Sequence, residues 1–441
     1  MNPGLYELKL FFSIFFHWRW LVCGLLASLM LGCENEPDIA DQFTGEVKVG
    51  ILHSRTGSLA ISEHTVAQAE LLAIAEINAA GGIQINKQKL KIVPIEEDGQ
   101  SEWSTFARRA ERLIDVDQVA VVFGGWTSAS RKAMLPVFES RDHLLFYPLQ
   151  YEGEECSRNI FYAGATPNQQ VEPAVKWLLK NKGNNFFLIG SDYVYPRTAN
   201  RIIKAQLAAS GGYVVGEIYV PLGDKNMQPA IDQMIHSMPD GGVIINTING
   251  DSNVAFFETA YATGMTDSAG YSIMSFSISE EEVFAIGSRY LQNSLASWGF
   301  FQSLDTDKAV EFTKGFKAMN GIHRVTNGPA EAAYDMVHIW ALAAEKAKSV
   351  DPRLVRETLP GTVFEGPEGE VEVQPNHHLK KRVFIGEVQA DGQFKIIHDG
   401  GFIAPQVWSQ WLPENEGYRC DWTSGRPDAG RFKPDAAAAE G

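Results

Sequence analysis

Cysteine is scarce in this chain: four in 441 residues, at positions 23, 33, 156 and 420. None forms a C-x-x-C pair, so zinc ribbons and thioredoxin-type redox sites lack support. Charge is also thin, at 21% of residues against 45% hydrophobic, a balance that excludes a disordered chain. What charge there is leans acidic, with a formal net charge of -16. That sign repels phosphates and argues against a nucleic-acid partner. The chain has no Walker loop, no GxGxxG opening a helix, no G-x-S-x-G elbow and no H-E-x-x-H. An enzyme, a cofactor and a metal therefore have no positive signal, and none is expected.

The N-terminus differs from the rest. Lys9 and Arg19 precede the apolar run Trp20-LVCGLLASLML-Gly32, which ends at Cys33, and polar ENEPD follows. A basic start, a short apolar core and a small residue at a cut point describe a secretory signal. The core is short for a membrane-spanning helix. The Gly32-Cys33 junction resembles a bacterial lipoprotein signal, in which Cys33 is lipidated; an uncleaved membrane anchor is the other reading. Export would leave Cys156 and Cys420 in an oxidising compartment, where a disulfide between them is expected from compartment and parity.

Residues 34–45 read as a tether. From Val47 strand-like and helix-like runs alternate: VKVGIL, TVAQAELLAIAEINAAGG, LKIVPIEED, STFARRAERLIDV, VAVVFGG, SASRKAMLPVFESR and LLFYPL. A second alternating run covers NQQVEPAVKWLLKN to YSIMSFS. This spacing predicts α/β architecture: two doubly wound lobes, each a parallel sheet with helices on both faces. Helices are expected near 307–321, 328–348 and 351–359, then hairpin-like β over 363–398, then a Pro-, Gly- and Ala-rich tail.

In such sheets ligands sit beyond the carboxyl ends of the strands. Those ends read His53-SRTG-Ser58, GGWTSAS with Trp126, Thr127 and Ser128, and YPLQYEG with Tyr147 and Gln150. In the second run they read GSDYVYPR with Tyr193, NTINGDSN with Asn249 and Asp251, and SFSISEEE with Ser277. They are rich in hydroxyls and amides and hold no basic cluster, which suits a neutral, hydrogen-bonding ligand.

At these segments the sequence becomes recognisable. VKVGILHSRTGSLAISE, VVFGGWTSASRKAMLPVFE, LLFYPLQYEGEE, NIFYAGATPNQQ, FFLIGSDYVYPRTAN and NTINGDSNVAFF resemble the urea-type substrate-binding proteins of ABC transporters. The resemblance runs from Val47 to His398. It implies a type I periplasmic-binding fold with a three-strand hinge, and partnership with ABC permease membrane subunits. It also implies these bounds: lobe 1 from 46–165 and 300–375, lobe 2 from 166–299 and 376–398, and a tail over 399–441. Amide-sensing regulators, a related group, share GSDY-x-YPR and T-S-x-x-RKA, and by that match Ser128, Tyr147 and Tyr193 would line the pocket. Trp126 stands where the sensor has Tyr, Leu149-Gln150 where it has a short polar residue and Pro, and the sensor lacks Asn249-Gly-Asp251. These departures point to urea over acetamide; a sensor of short amides is the alternative.

Urea is flat and neutral, with four N–H donors and one carbonyl, so its site needs acceptors, one or two donors and an apolar wall. Tyr147 and Tyr193 can donate or accept, Trp126 can form the wall, and Asn249 and Asp251 can accept. The structural alternatives are core packing for Trp126 and Tyr147 and helix capping for Ser128 and Asp251. The runs Glu96-Glu97-Asp98 and Glu280-Glu281-Glu282 read as helix starts or solvated faces, and His377-His378 as a surface pair.

Overall fold

The computed structural model describes residues 43–266 and 270–434. The expected signal, Cys33 and most of the tether lie outside the described residues. Among those described, no helix is long and apolar enough to cross a membrane.

The first sheet holds β1 (Gly45–His53), β2 (Ile83–Ile85), β3 (Gln88–Asp98), β4 (Val122–Gly124), β5 (Leu145–Tyr147) and β6 (Ile160–Tyr162), in the order β2-β3-β1-β4-β5-β6. Only β2 runs antiparallel to its neighbour. Helices α1 (Ala60–Ala79), α2 (Trp103–Asp115) and α3 (Ser128–Arg141) connect these strands. The apolar runs become strands because both sheet faces are covered, which removes the need for alternation. Val49, Phe123, Leu145 and Phe146 are fully buried.

The second sheet repeats the plan with β7 (Asn185–Ser191), β8 (Tyr213–Val220), β9 (Gly242–Thr247), β10 (Tyr271–Ser275) and β11 (Leu295–Trp298). Its helices are α4 (Val171–Asn181), α5 (Val194–Ser210), α6 (Gln228–Ser237), α7 (Ser252–Ala262), α8 (Glu280–Ile286) and α9 (Ser288–Leu291). The chain then returns through α10 (Asp307–Asn320), α11 (Gly328–Ala347) and α12 (Pro352–Thr358) to β12 (Val363–Gly366), β13 (Gly369–Val373), β14 (Leu379–Val388) and β15 (Phe394–Ile403). The sheet order is β12-β13-β14-β11-β10-β9-β7-β8, with β15 on β14.

In both sheets the first strand is flanked by the next two parallel strands, β3-β1-β4 and β8-β7-β9. The winding reverses between β1 and β4 and between β7 and β9, and ligands of open α/β sheets bind at such points. The chain passes from the first sheet to the second, returns in α10 and α11 to pack on α1 and β4, and re-enters the second sheet, and these three crossings touch. Tyr162 bridges His378, and Gln170 Nε2 donates to the Ser297 carbonyl at 2.7 Å.

The β12–β13 hairpin belongs to the second sheet but also packs on α11. Phe364 stacks on His338 of α11 at 4.8 Å, while β13 is hydrogen-bonded to β14. The tail also differs from expectation. β15 continues to Ile403, and Val407, Leu412 and Asn415 are buried. The tail grips the loop after β5: Glu154 N donates to the Val407 carbonyl at 3.0 Å, and Asn415 Nδ2 donates to the Glu154 carboxylate at 2.6 Å. Gly153 has φ +68°, and a Cβ there would meet the Val407 carbonyl at 2.5 Å, so only glycine fits. Cys156 and Cys420 are joined in a disulfide, with Cα atoms 6.5 Å apart.

Candidate functional site

The β4 end delivers Trp126, Thr127 and Ser128. Thr127, at the N-cap of α3, accepts from Ser130 N at 3.0 Å, so its hydroxyl performs the capping that was the alternative for Ser128. Ser128 Oγ instead donates to Glu152 Oε2 and accepts from Arg131 Nη1 at 3.1 Å. Tyr147, at the β5 end, donates to the Trp126 carbonyl.

Beneath these residues lies a buried ion network. Arg131 Nε donates to Glu155 at 2.7 Å and Nη2 to Glu152 at 3.3 Å, while Lys132 reaches Glu155 at 2.8 Å. The Arg131 guanidinium also lies over the rings of Tyr147 and Tyr151, at 4.8 and 4.6 Å. Burial alone would push the Glu155 carboxyl up, but Arg131 and Lys132 hold it at about 2. Two acids and two bases thus neutralise one another.

The second lobe faces this cluster. Trp126 Nε1 donates to Asn249 Oδ1 at 3.3 Å, and Asn249 N donates to Ser191 Oγ at 3.0 Å. Gln150 Nε2 crosses to the Phe276 carbonyl at 2.8 Å and lies 3.5 Å from Ser277 Oγ. At the rim, Asp251 N donates to the Ser58 carbonyl at 3.2 Å. A Cβ on Gly250 would meet that carbonyl at 2.7 Å, and its φ is +69°, so glycine permits this approach of the lobes.

Tyr193 and Tyr195 both turn inward from the start of α5, with exposures of 7% and 3%. Burial raises the phenol pKa of both, so each is a donor at neutral pH. The Tyr195 hydroxyl and Gln150 Oε1 are buried, lie beside each other and have no other hydrogen-bond partner. Of the expected site residues, the structure brings together Trp126, Ser128, Tyr147, Gln150, Tyr193, Asn249 and Ser277. Ser58 and Asp251 lie at the rim, where the Asp251 carboxylate lines a groove with Lys225, Glu258 and Thr259. Asp251 makes no side-chain cap bond to α7, and its Oδ1 is unpartnered.

Sequence reasoning missed Glu152, Arg131 and Tyr195, although YEGEE, RKA and YVYPR stood next to the residues it chose. Two of its other expectations are corrected. Glu280, Glu281 and Glu282 do start a helix, yet they are buried, with Ser62 Oγ of α1 donating to Glu282 at 2.6 Å. Burial pushes Glu280 up to about 8 and Glu282 up to about 7. His377 and His378 are buried rather than on the surface; His378 stacks on Tyr162 at 4.3 Å, and burial lowers both to about 3. The Glu96-Glu97-Asp98 run keeps its solvated-face reading: it ends β3, Glu96 is exposed, and Glu97 pairs with Arg109 at 3.1 Å.

A family model described as a periplasmic binding protein domain matches residues 47–414. Leu/Ile/Val-binding protein homolog 7 of Brucella melitensis is 34% identical over 405 residues, or 86% of this chain and 96% of the relative. Homolog 8 of Brucella abortus is 25% identical over 54% of this chain and 61% of the relative. A limonene hydroxylase of Geobacillus stearothermophilus is 30% identical over 25% of this chain. The chain spans 21% of the hydroxylase's length and 61% of homolog 8's.

Among solved structures, a solute-binding protein of an ABC transporter from Rhodopseudomonas palustris, in complex with 3,4-dihydroxybenzoic acid, superposes with TM-score 0.71. The match is at 19% identity and covers 81% of this chain and 97% of that one. A branched-chain amino acid transporter substrate-binding protein of Streptococcus pneumoniae, in complex with isoleucine, gives 0.69 at 20% identity over 82% of this chain and 100% of that one. At these identities the likeness is one of fold. With the family match running through both sheets, the crossings between them and the start of the tail, the chain belongs to the periplasmic binding protein family.

Proposed function

We propose that this chain is an exported receptor that captures urea, or a similarly small neutral amide, between its lobes and delivers it to an ABC permease. The observation that carries this reading is the pair on the inner wall, the Tyr195 hydroxyl and Gln150 Oε1, which lie beside each other and bond to nothing else. A donor for a carbonyl and an acceptor for an amide N–H are what urea requires. The neutral charge balance of Arg131, Lys132, Glu152 and Glu155 supports it. A carboxylate ligand needs a cation, and Arg131 is already committed to two glutamates. The ligands of the similar structures, 3,4-dihydroxybenzoic acid and isoleucine, both carry a carboxyl group.

Calorimetric titration with urea, formamide, acetamide, leucine and 4-hydroxybenzoate tests the reading. Urea has four heavy atoms, and about 1.5 kcal/mol per atom caps its affinity near tens of micromolar. Binding of leucine or hydroxybenzoate in place of urea would overturn the urea assignment. The receptor reading also expects lipid on Cys33, so the mature N-terminus measured by mass spectrometry separates it from a cytoplasmic amide sensor.

A further inference from the structure

Away from the cleft, charged side chains are buried together where α11 meets β14. Glu331 and Asp335 lie about one turn apart on α11, Glu368 sits in the turn between β12 and β13, and Lys381 is on β14. Glu331, Asp335 and Glu368 are each 0% exposed, and Lys381 is 3% exposed. Lys381 Nζ is 3.4 Å from Glu331 Oε2 and 3.0 Å from Glu368 Oε1. Its one positive charge is therefore divided between the two glutamates.

Asp335 points into the same chamber, and both of its oxygens lack a hydrogen-bond partner; so do Glu331 Oε1 and Glu368 Oε2. Fully ionised, three carboxylates and one ammonium would leave two negative charges in the interior, where uncompensated charge is strongly disfavoured; burial accordingly pushes Asp335 and Glu368 up, so that protons or a cation must complete the cluster. A single divalent cation brings the sum to zero. One ligand oxygen from each of the three carboxylates lies within 4.8 Å of the others. Oxygens around one ion at about 2.4 Å are separated by no more than roughly that distance. A donor set made only of carboxylate oxygens suits a hard cation, Ca²⁺, Mg²⁺ or Mn²⁺, over the softer metals that favour imidazole and thiolate.

We infer that Glu331, Asp335 and Glu368 form a site for one hard divalent cation. Lys381 stands behind it, on the oxygens of the two glutamates that face away from the ion. The cation ties α11 to the strand through which the chain re-enters the second sheet.

The test uses the full chain purified without chelator. Elemental analysis is expected to find about one divalent ion per chain. Dialysis against EDTA lowers the melting temperature by several degrees, and CaCl2, MgCl2 or MnCl2, added singly, restores it. Asp335→Asn keeps the side-chain shape, loses the ion and no longer responds to added metal; Tb³⁺ luminescence gives a second readout. The inference is overturned if wild-type protein retains no ion and its melting is indifferent to EDTA and to all three salts, because shared protons then neutralise the cluster. It is equally overturned if Asp335→Asn binds the ion as wild type does. Should that variant fail to fold, the wild-type titration decides alone.

Discussion

Tyr195→Phe removes one oxygen from the inner wall and nothing else. In the free protein that hydroxyl is buried with only the Gln150 side chain beside it and no well-formed hydrogen bond. An unsatisfied buried polar group costs about 1–3 kcal/mol, so its removal leaves folding stability unchanged or raises it by about 1 kcal/mol. In the complex the hydroxyl is the donor assigned to the urea carbonyl, and burial keeps it protonated at neutral pH. A neutral hydrogen bond contributes about 0.5–1.5 kcal/mol, so the dissociation constant for urea should rise roughly three- to tenfold. Calorimetry gives the affinity. Thermal or guanidinium melts give the stability, since urea cannot serve as both ligand and denaturant. The two readouts should move in opposite directions. A variant that melts lower and binds urea as wild type does would refute the reasoning and return Tyr195 to a purely structural role.

Three further outcomes follow from the geometry. Asp251→Ala should weaken urea about tenfold and narrow its preference over acetamide, if the rim carboxylate accepts from the second amide group; an unchanged ratio in paired titrations removes it from the site. Cys156→Ser with Cys420→Ser should lower stability by up to about 5 kcal/mol in guanidinium melts, because the bond closes a loop spanning 264 positions. Thiol titration of unfolded, unreduced wild type should find no free thiol among this pair. The Glu280 carboxyl, at about 8 in the folded chain against an ordinary 4.5, binds a proton more tightly when folded, so stability falls as pH rises between those values. Glu280→Gln should match wild type in thermal melts near pH 4 and exceed it by a margin that grows up to about pH 8; an equal difference at both ends would place the pH dependence elsewhere.

The strands were legible because a parallel sheet covered on both faces leaves an uninterrupted apolar run, as in Leu145–Tyr147. The site was legible in outline because the strand ends carry its residues, from Trp126 to Tyr193. What sequence could not show was which charges go inside. Glu152, Arg131 and Glu280–Glu282 are residue types that normally stay in water. They are buried only because partners far along the chain meet them, as Ser62 meets Glu282 across 220 positions. The same holds for His378, whose stack with Tyr151 and Tyr162 forms only when the third crossing lies beside the first, and for His377, whose ring meets Trp422 of the tail. Tyr195 was passed over because its neighbour Tyr193 had the more visible motif position, though both side chains turn inward.

The grip of the tail on the loop after β5 has a consequence for the size of solute this protein can capture. Fixing a flexible backbone costs about 1–2 kcal/mol per residue. Ordering Gln150–Glu154 at the moment of binding would therefore consume roughly 5–10 kcal/mol, as much as a four-atom solute can return in contacts. A large ligand could carry that cost in its own buried surface; urea cannot. Glu154 held by Val407 and Asn415, with Cys156 tethered to Cys420 two residues on, shifts the cost from binding to folding. On the proposed reading the C-terminal segment would be a remote determinant of affinity, and loosening it should weaken capture of small solutes without altering a single atom that touches them.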